Sequence, residues 1–278
     1  MDTARIVARC TEVLGECTFV ADRSMAHGEA VVVEVVDASG TGWIAKHVVQ
    51  EKKYRQELGA YRDWVRMLSD SAPALHSAHD DMNMLLLNKL NGTTVEGTRW
   101  EYDPSIYHRI GELTRLLHVS AAPVVDEDYA ENLVEDLEKY LFRGAHLLSH
   151  AEIDSARDQV GEITEMPPLI TVPCHLDNQP RNWLVDDDGT VRLIDFGHAR
   201  RQPWITDTNR MDLRHWRQSP ELREAFYDGY GRTPTDDDMY FYRLYLAYLG
   251  VTTIVWAYEH GDPTFAAEGR GWLRELMG

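Results

Sequence analysis

The segment 173–200 constrains the fold of this 278-residue chain more than any other part of its sequence. Two short β-type runs, Trp183–Val185 and Val191–Ile194, flank an acidic turn that ends in glycine, a pattern that predicts an antiparallel hairpin. Asn182 enters the first run and Asp195 leaves the second. Because antiparallel partners meet at the same end of a hairpin, these two side chains are expected to lie close together.

A third polar side chain, Asp177, lies one short loop upstream of the hairpin and is expected near the same end. Carboxylate and amide oxygens are hard ligands, suited to Mg2+ that arrives with substrate phosphates. With Asn182 and Asp195 holding the ion, Asp177 is free to act on an incoming hydroxyl group. The segment therefore predicts phosphoryl transfer assisted by magnesium.

The spacing of these residues resembles the catalytic loop and metal motif of the kinase fold, and more narrowly the aminoglycoside phosphotransferase family of antibiotic and small-molecule kinases. The matching positions are His175-x-Asp177-x-x-Pro180-x-Asn182 and Ile194-Asp195-Phe196-Gly197. The resemblance implies that Asp177 is the catalytic base and that Asn182 and Asp195 are the magnesium ligands. It also implies two supporting roles: His175 as a backbone-bonded organiser beside Asp195, and Asp212 as a support of the catalytic loop.

Three positions depart from the family pattern. Leu176 and Asn178 stand where the family usually carries glycine and leucine, and His198 stands where an acid is more usual. Arg181 is open to two interpretations: it reaches the transferred phosphate, or it pairs with one of the acids in the turn 186–188, which is the favoured interpretation.

The resemblance implies an α+β, protein-kinase-like bilobal fold, with a β-rich N-lobe over residues 1–90 and a mostly helical C-lobe over residues 91–278. The first part of the sequence has the expected order of elements. It contains β-type runs at Ala30–Val36 and Gly42–Val49, a helical pattern from Glu51 to Leu68, and a buried strand at Asn83–Asn88.

In such an N-lobe, Lys46 is expected to contact the α- and β-phosphates of ATP, with Glu57 as its acidic partner and Glu51 as the second choice. The linker Asn88-Lys89-Leu90 is expected to bind the base of ATP or GTP through its backbone. The loop that covers the phosphates is expected near Ser24-Met25-Ala26-His27-Gly28, although it is not a Gly-x-Gly-x-x-Gly loop.

The C-lobe is expected to be helical around the hairpin. Asp103 followed by proline predicts a helix start, and apolar periodicity predicts further helices. These cover 128–148, 152–165, 220–230, 236–259 and 265–276.

Acidic residues are concentrated at 126–165, with 12 acids against 3 bases. In the family that the chain resembles, the insertion before the catalytic loop and the C-terminal helices line the acceptor site. A cationic acceptor is therefore expected, and the candidate contacts are Glu135, Asp154, Asp158, Glu259 and Asp262.

The net charge of −18 disfavours nucleic acid and anionic membrane surfaces as partners and favours cationic ligands. The most apolar run, Leu244–Tyr258, is shorter than the roughly 20 residues that a membrane span needs. With no signal peptide recognisable and three cysteines expected to be reduced thiols, the prediction is a cytoplasmic monomer or homodimer.

The resulting prediction is an enzyme that transfers the γ-phosphate of ATP or GTP to a hydroxyl of a cationic antibiotic, either an aminoglycoside or a basic cyclic peptide of the tuberactinomycin type. Two alternatives stay open: a metabolic kinase acting on choline, a sugar, an amino alcohol or a fructosamine, and a pseudokinase that binds without transfer. A protein kinase is disfavoured because only 16 residues separate Asp195 from Asp212 and no Ala-Pro-Glu sequence closes an activation segment.

Overall fold

The computed structural model describes residues 2–25 and 30–277. The helices are α1 Thr3–Leu14, α2 Glu51–Asp63, α3 Pro104–His118, α4 Tyr129–Gly144, α5 His150–Glu162, the short α6 Asn209–Met211, α7 Pro220–Tyr230, α8 Asp236–Glu259 and α9 Pro263–Met277. The strands are β1 Cys17–Asp22, β2 Ala30–Asp37, β3 Gly42–Val48, β4 Leu75–His79, β5 Met84–Asn88, β6 Thr93–Thr94, β7 Val124–Asp126, β8 Leu169–Cys174, β9 Trp183–Val185, β10 Val191–Leu193 and β11 Arg200–Gln202.

The chain divides into two compact units. The first comprises Met1–Ala122 and Val172–Thr233, and the second comprises Pro123–Thr171 and Pro234–Gly278. The first unit contains the antiparallel N-terminal sheet and the whole of the segment 173–200. The lobe boundary near residue 90 stays a prediction.

The N-terminal sheet has the strand order β1-β2-β3-β5-β4, with every pair antiparallel. One of its faces packs against α1, a helix for which the sequence analysis made no prediction. Ile6 and Cys10, one helical turn apart, are fully buried in a cluster with Val33, Val35 and Ala45. Complete burial of an aliphatic side chain of this size is worth about 1.5–3 kcal/mol, so this face anchors the sheet.

Strand alternation determines where Lys46 lies. Ala45 faces the α1 cluster, and successive residues of a strand point to opposite faces. Lys46, which pairs with Val32 and Leu85 in the strand register, therefore projects from the other face. Its ammonium group reaches Glu57 of α2.

Helix α2 is shorter than the predicted helix 51–68. It ends at Asp63, and the chain continues as a 3-10 segment, Val65–Ser71, in which Ser69 has a φ of 47°. The tighter turns still bury Val65 and Leu68. The apolar pattern thus runs on into the 3-10 segment, beyond the end of the α-helix.

Helices α3 and α7 cross in the first unit at two glycines. A Cβ on Gly111 would lie 2.2 Å from the Phe226 carbonyl oxygen, and one on Gly229 would lie 1.9 Å from that of His108. Only a residue without a side chain allows this approach. Asp103 caps α3 as predicted, since its carboxylate accepts a hydrogen bond from the Ser105 amide at 2.9 Å.

The second unit is built around α8, whose predicted bounds are confirmed. Helix α4 ends at Gly144, before the predicted end at 148. A Cβ on Gly144 would lie 2.4 Å from the Val255 side chain, so this residue packs closely against α8. Helix α5 starts two residues before the predicted 152 because Ser149 and Glu152 form a capping box. Glu152 also pairs with Arg270 of α9 at 2.9 Å, which ties the last helix to this cap.

The small antiparallel sheet followed by a mainly helical part confirms the predicted α+β class. Within residues 2–25 and 30–277, no helix combines the length and apolar character that crossing a membrane requires.

Candidate active site

The hairpin forms as predicted and sets the position of two candidate ligands. β9 pairs with β10, with Leu193 opposite Trp183, and the Ile194 amide donates to the Asn182 carbonyl at 2.9 Å. Asn182 and Asp195 therefore lie at the same end of the hairpin. The turn at the other end is closed by Asp186, which accepts hydrogen bonds from the Asp188 and Thr190 amides at 3.1 and 2.9 Å.

Asp177 is buried in the loop before the hairpin, and its carboxylate is held by three donors. Oδ2 accepts from Arg181 Nη2 at 2.8 Å and from Asn182 Nδ2 at 2.7 Å. Oδ1 accepts a very short bond from Gln179 Nε2, and Arg210 Nε lies 3.8 Å from it. The contacts of Gln179 and Arg210 were not predicted from the sequence, because no spacing rule relates these residues to Asp177.

These contacts set the charge state of Asp177. Burial by itself would raise the pKa of this carboxyl, but the positive charges of Arg181 and Arg210 lower it below the ordinary value. The side chain is therefore ionised at neutral pH, as a group that accepts a hydroxyl proton must be.

Lys46 forms two ion pairs, one with helix α2 and one with the end of the hairpin. Its Nζ lies 2.9 Å from Glu57 Oε1 and 2.7 Å from Asp195 Oδ1. Glu57, and not the second choice Glu51, is thus the carboxylate on Lys46, since Glu51 pairs with Arg55 at 3.5 Å.

Burial lowers the pKa of the Lys46 ammonium, but Asp195 and Glu57 outweigh it and leave the pKa raised. Partial desolvation opposes the charge of Asp195 too, yet the nearby Lys46 keeps its pKa well below the ordinary value. For Glu57 burial prevails over the attraction of Lys46, and the pKa is raised. Asp195 is therefore the carboxylate that keeps a full negative charge for a ligand.

The residues proposed for magnesium fit a hard cation. The Asn182 amide nitrogen donates to two acceptors, the Asp177 carboxylate and the Asp177 carbonyl at 2.8 Å, which turns its Oδ1 the other way. Among the described residues no donor occupies this oxygen. Asp195 uses Oδ1 for Lys46 and for the Gly197 amide at 3.3 Å, and its side chain is 46% exposed, so a cation can reach it. An amide oxygen and a carboxylate oxygen match the ligand preference of Mg2+.

His175 lies beside the backbone that leads to Asp195. Its Nε2 donates to the Ile194 carbonyl at 2.9 Å, so Nδ1 of the neutral ring accepts from the Asp177 amide at 3.2 Å. The ring is fully buried against Phe196, with centroids 4.9 Å apart. It therefore connects the backbone before Asp195 with that of Asp177.

The loop that carries Asp177 is anchored by Asp207, which the sequence analysis did not single out. Its fully buried carboxylate accepts from the His175 amide at 2.8 Å, the Leu176 amide at 2.6 Å and His118 Nε2 at 3.0 Å. This is the support predicted for Asp212, which lies in a π-helical turn with Arg217 Nε 3.9 Å away. The role of Asp212 itself stays a prediction.

His118 and Asp207 also form, with Cys174, a buried group whose potential metal-ligand atoms lie within 4.8 Å of one another. Both Asp207 oxygens are already bonded to backbone N–H groups, and His118 Nδ1 bonds to the Tyr230 hydroxyl at 2.9 Å. The group is thus accounted for by hydrogen bonding.

Two residues of the site have left-handed backbone conformations. Leu176 and Asp195 both have a φ of 64°. Such strain is uncommon for residues other than glycine and concentrates at functional sites. The Asp207 bond to the Leu176 amide holds the first of these conformations.

The nucleotide-binding candidates are placed as follows. The Ser24 hydroxyl accepts from the Val32 amide at 3.0 Å, and residues 26–29, which include most of the predicted phosphate loop, lie outside the described residues. In the linker, the Asn88 and Lys89 amides donate to the Ala74 and Gly42 carbonyls at 3.2 and 3.0 Å. The Leu90 amide has no acceptor within the described part of the chain.

Arg181 pairs with Asp177, whereas the sequence analysis favoured an acid of the turn 186–188. That interpretation is wrong because Asp186 pairs with Arg192, 2.7 Å away within the hairpin. Arg181 lies in the 3-10 turn Pro180–Asn182 and points back along the loop.

The acceptor candidates all belong to the second unit, and their role stays a prediction. Glu135, Asp154 and Asp158 are exposed. Glu259 pairs with Arg143, and Asp262 accepts from the Phe265 amide at 2.9 Å. Arginine partners therefore offset part of the acidity of this unit.

Comparison with solved structures places the whole chain in the kinase-like fold. The aminoglycoside phosphotransferase APH(4)-Ia has a TM-score of 0.74 at 15% identity, covering 99% of this chain and 98% of that one. A thermostable mutant of APH(4)-Ia, in a ternary complex with AMP-PNP and hygromycin B, has a TM-score of 0.73 at 14% identity, with coverage of 97% and 96%. The choline kinase LicA from Streptococcus pneumoniae has a TM-score of 0.71 at 15% identity, with coverage of 98% and 99%.

The family follows from the sequence itself. The phosphotransferase enzyme family (APH) matches residues 25–245, which is most of the chain, so the protein belongs to this family. It is a phosphotransferase whose acceptor is a hydroxyl group of a small molecule. No curated protein matches the sequence.

Proposed function

We propose that the protein transfers the γ-phosphate of ATP to a hydroxyl group of a cationic small molecule, with Asp177 as the catalytic base. The observation that carries the proposal is the pair of contacts from Lys46 to Glu57 and Asp195, at 2.9 and 2.7 Å. The second contact connects the sheet expected to hold the nucleotide with the end of the hairpin at which Asn182 and Asp195 lie. The likeness to a complex containing AMP-PNP supports ATP as co-substrate.

In the proposed reaction, Asp177 accepts the proton of the acceptor hydroxyl while the hydroxyl oxygen forms a bond to the γ-phosphorus. The bond from that phosphorus to the β,γ-bridging oxygen breaks, and ADP leaves. Asn182 and Asp195 would hold Mg2+, which offsets the charge on the phosphate oxygens. Lys46 binds the α- and β-phosphates, and the lowered pKa of Asp177 suits a loose transition state in which proton transfer comes late.

The linker binds the base of the nucleotide through its backbone. The Leu90 amide is the available donor, since those of Asn88 and Lys89 already bond within the sheet region. Lys89 pairs with Glu34 at 2.6 Å, which holds the linker against β2. Ser24 orders the start of the phosphate loop through its bond to β2.

The proposed acceptor is a basic antibiotic, an aminoglycoside or a basic cyclic peptide, and its phosphorylation confers resistance. The net charge of −18 and the exposed acids Glu135, Asp154 and Asp158 support a cationic acceptor. The likeness to an enzyme crystallised with hygromycin B is consistent with this class. A metabolic acceptor such as choline is the second candidate, favoured by the likeness to LicA. Retention of Lys46, Asp177, Asn182 and Asp195 argues against a pseudokinase.

A panel experiment tests the proposal. The protein is incubated with Mg-ATP and one acceptor at a time: an aminoglycoside, a basic cyclic peptide or choline. Mass spectrometry then shows whether the acceptor has gained one phosphoryl group. Asp177→Ala should abolish the added mass while nucleotide binding persists, and Asp195→Ala should lose metal-dependent nucleotide binding as well. Phosphorylation that survives Asp177→Ala, or equal nucleotide binding by both variants, would refute the assigned roles. Choline as the preferred acceptor would replace the antibiotic assignment with the metabolic one.

A further inference from the structure

The carboxylate that the proposed function assigns to the acceptor hydroxyl is covered by protein donors. An oxygen of an ionised carboxylate offers about two lone-pair positions. Asp177 Oδ2 uses both, one for Arg181 and one for Asn182, and Oδ1 is bonded to Gln179 with Arg210 nearby. Since the Asp177 side chain is only 7% exposed and both positions of Oδ2 are used, an acceptor reaches Oδ2 by displacing a donor.

The three donors differ in how firmly they are held. Asn182 and Gln179 are buried, and each has a second anchor: Asn182 bonds to the Asp177 carbonyl at 2.8 Å, and the Gln179 Oε1 accepts from Arg214 at 2.9 Å. The Arg181 side chain is 39% exposed, and within the described residues it hydrogen-bonds to Asp177 alone. Arg181 is the donor that can leave without disrupting the loop.

We propose that Arg181 gates the catalytic carboxylate: it occupies Asp177 Oδ2 while no acceptor is bound and yields this oxygen to the acceptor hydroxyl. The inference rests on the proposed role of Asp177. In the closed arrangement the guanidinium also denies Oδ2 to water, which would otherwise be activated in place of the acceptor and hydrolyse ATP. Arg181 thereby couples consumption of ATP to the presence of an acceptor.

The electrostatic surroundings favour retention of the displaced arginine in the site. Burial opposes its charge, but Asp177, Asp195 and Glu96 all attract it. Once released from Oδ2, the guanidinium stays on the side of Asp195, where negative charge develops on the transferred phosphoryl group. An uncharged polar residue in place of Arg181 would leave Asp177 Oδ2 accessible and would lose the attraction to the transferred phosphoryl group.

Acceptor-independent hydrolysis of Mg-ATP by the full chain tests the gate, with phosphate release as the readout. The variants are Arg181→Gln, which removes the charge, Arg181→Lys, which retains it, and the double change Arg181→Gln with Asp177→Asn. Arg157→Gln is the matched control, because Arg157 also pairs with a carboxylate, Glu138 at 2.6 Å, and its side chain is 49% exposed. Nucleotide binding and the melting temperature are measured for every variant.

Arg181→Gln should raise hydrolysis about tenfold, the factor expected when a charge-assisted hydrogen bond no longer holds the closed state. Arg157→Gln should stay near the wild-type rate, and Arg181→Lys should give a smaller increase than Arg181→Gln because it retains the charge. The double change should abolish the increase because hydrolysis then lacks its carboxylate. Hydrolysis by Arg181→Gln at or below the wild-type rate, or an increase that survives Asp177→Asn, overturns the gate. Normal nucleotide binding in that case leaves the proposed function standing, whereas a wild-type protein that binds no ATP overturns both.

Discussion

Replacement of Asp207 by asparagine is the most direct test of how the loop that carries Asp177 is held. The fully buried carboxylate accepts from two consecutive backbone amides, those of His175 and Leu176, through different oxygens, and from His118. Asparagine keeps only one acceptor oxygen, so its NH2 group must face an N–H donor. A bond to a charged acceptor is worth about 1.5–3 kcal/mol, and two are lost or weakened, which predicts a loss of about 3–5 kcal/mol of stability.

The assay is urea unfolding followed by tryptophan fluorescence, with Asp186→Asn as the matched control. Asp186 also accepts three hydrogen bonds, but it lies in a turn that water can reach, so its replacement should change stability little. Asp207→Asn should also lower turnover more than nucleotide binding, because the loop that carries Asp177 shifts. If the free energy of unfolding of Asp207→Asn lies within about 1 kcal/mol of wild type, or equals that of Asp186→Asn, the reasoning is refuted.

The contribution of Asp207 to stability depends on pH with a definite sign. Burial by itself would raise the pKa of Asp207, but the bond from His118 and the neighbouring groups lower it below the ordinary value of about 3.9. A carboxyl whose folded-state pKa is depressed stabilises the fold above its unfolded pKa, and this stabilisation is lost as the pH falls through the folded pKa. The stability gap between wild type and Asp207→Asn should therefore be full above about pH 5 and shrink below about pH 4.

Three further predictions concern backbone strain, close packing and charge. Leu176→Gly should be more stable than Leu176→Ala by about 1 kcal/mol in thermal unfolding, because glycine accepts a φ of 64° without strain; the reverse order would contradict it. Gly111→Ala should destabilise by about 1–3 kcal/mol or more, whereas Gly59→Ala, with nothing within 4 Å of the new Cβ, should not; equal melting temperatures would be inconsistent with the α3–α7 crossing. Lys46→Met should weaken nucleotide binding, and it should raise the pKa of Asp195 because this carboxylate loses its nearest cation. Unchanged affinity in a fluorescent-nucleotide titration would show that Lys46 does not bind the nucleotide.

Local spacing determined much of the candidate site in advance. The turn residues and β-type runs at 183–194 set the hairpin register, and this register places Asn182 beside the backbone that leads to Asp195. Strand alternation likewise sets the face from which Lys46 projects, and helical periodicity selects Glu57 on the facing helix. Period and register are local properties, so the sequence alone was sufficient to predict them.

The long-range contacts of the loop that carries Asp177 were decided by the tertiary structure. Arg210, Arg214 and Asp207 come from a segment without a regular pattern, in which α6 passes into a π-helical turn. Which of its charged residues meets the loop depends on how that segment packs, and no period or motif encodes this. The sequence therefore determined the chemistry of the site, a carboxylate, an amide and a lysine at fixed spacing. The fold decided that this carboxylate lies buried near Arg210 and that its loop is anchored by Asp207, because only long-range packing brings these residues to the loop.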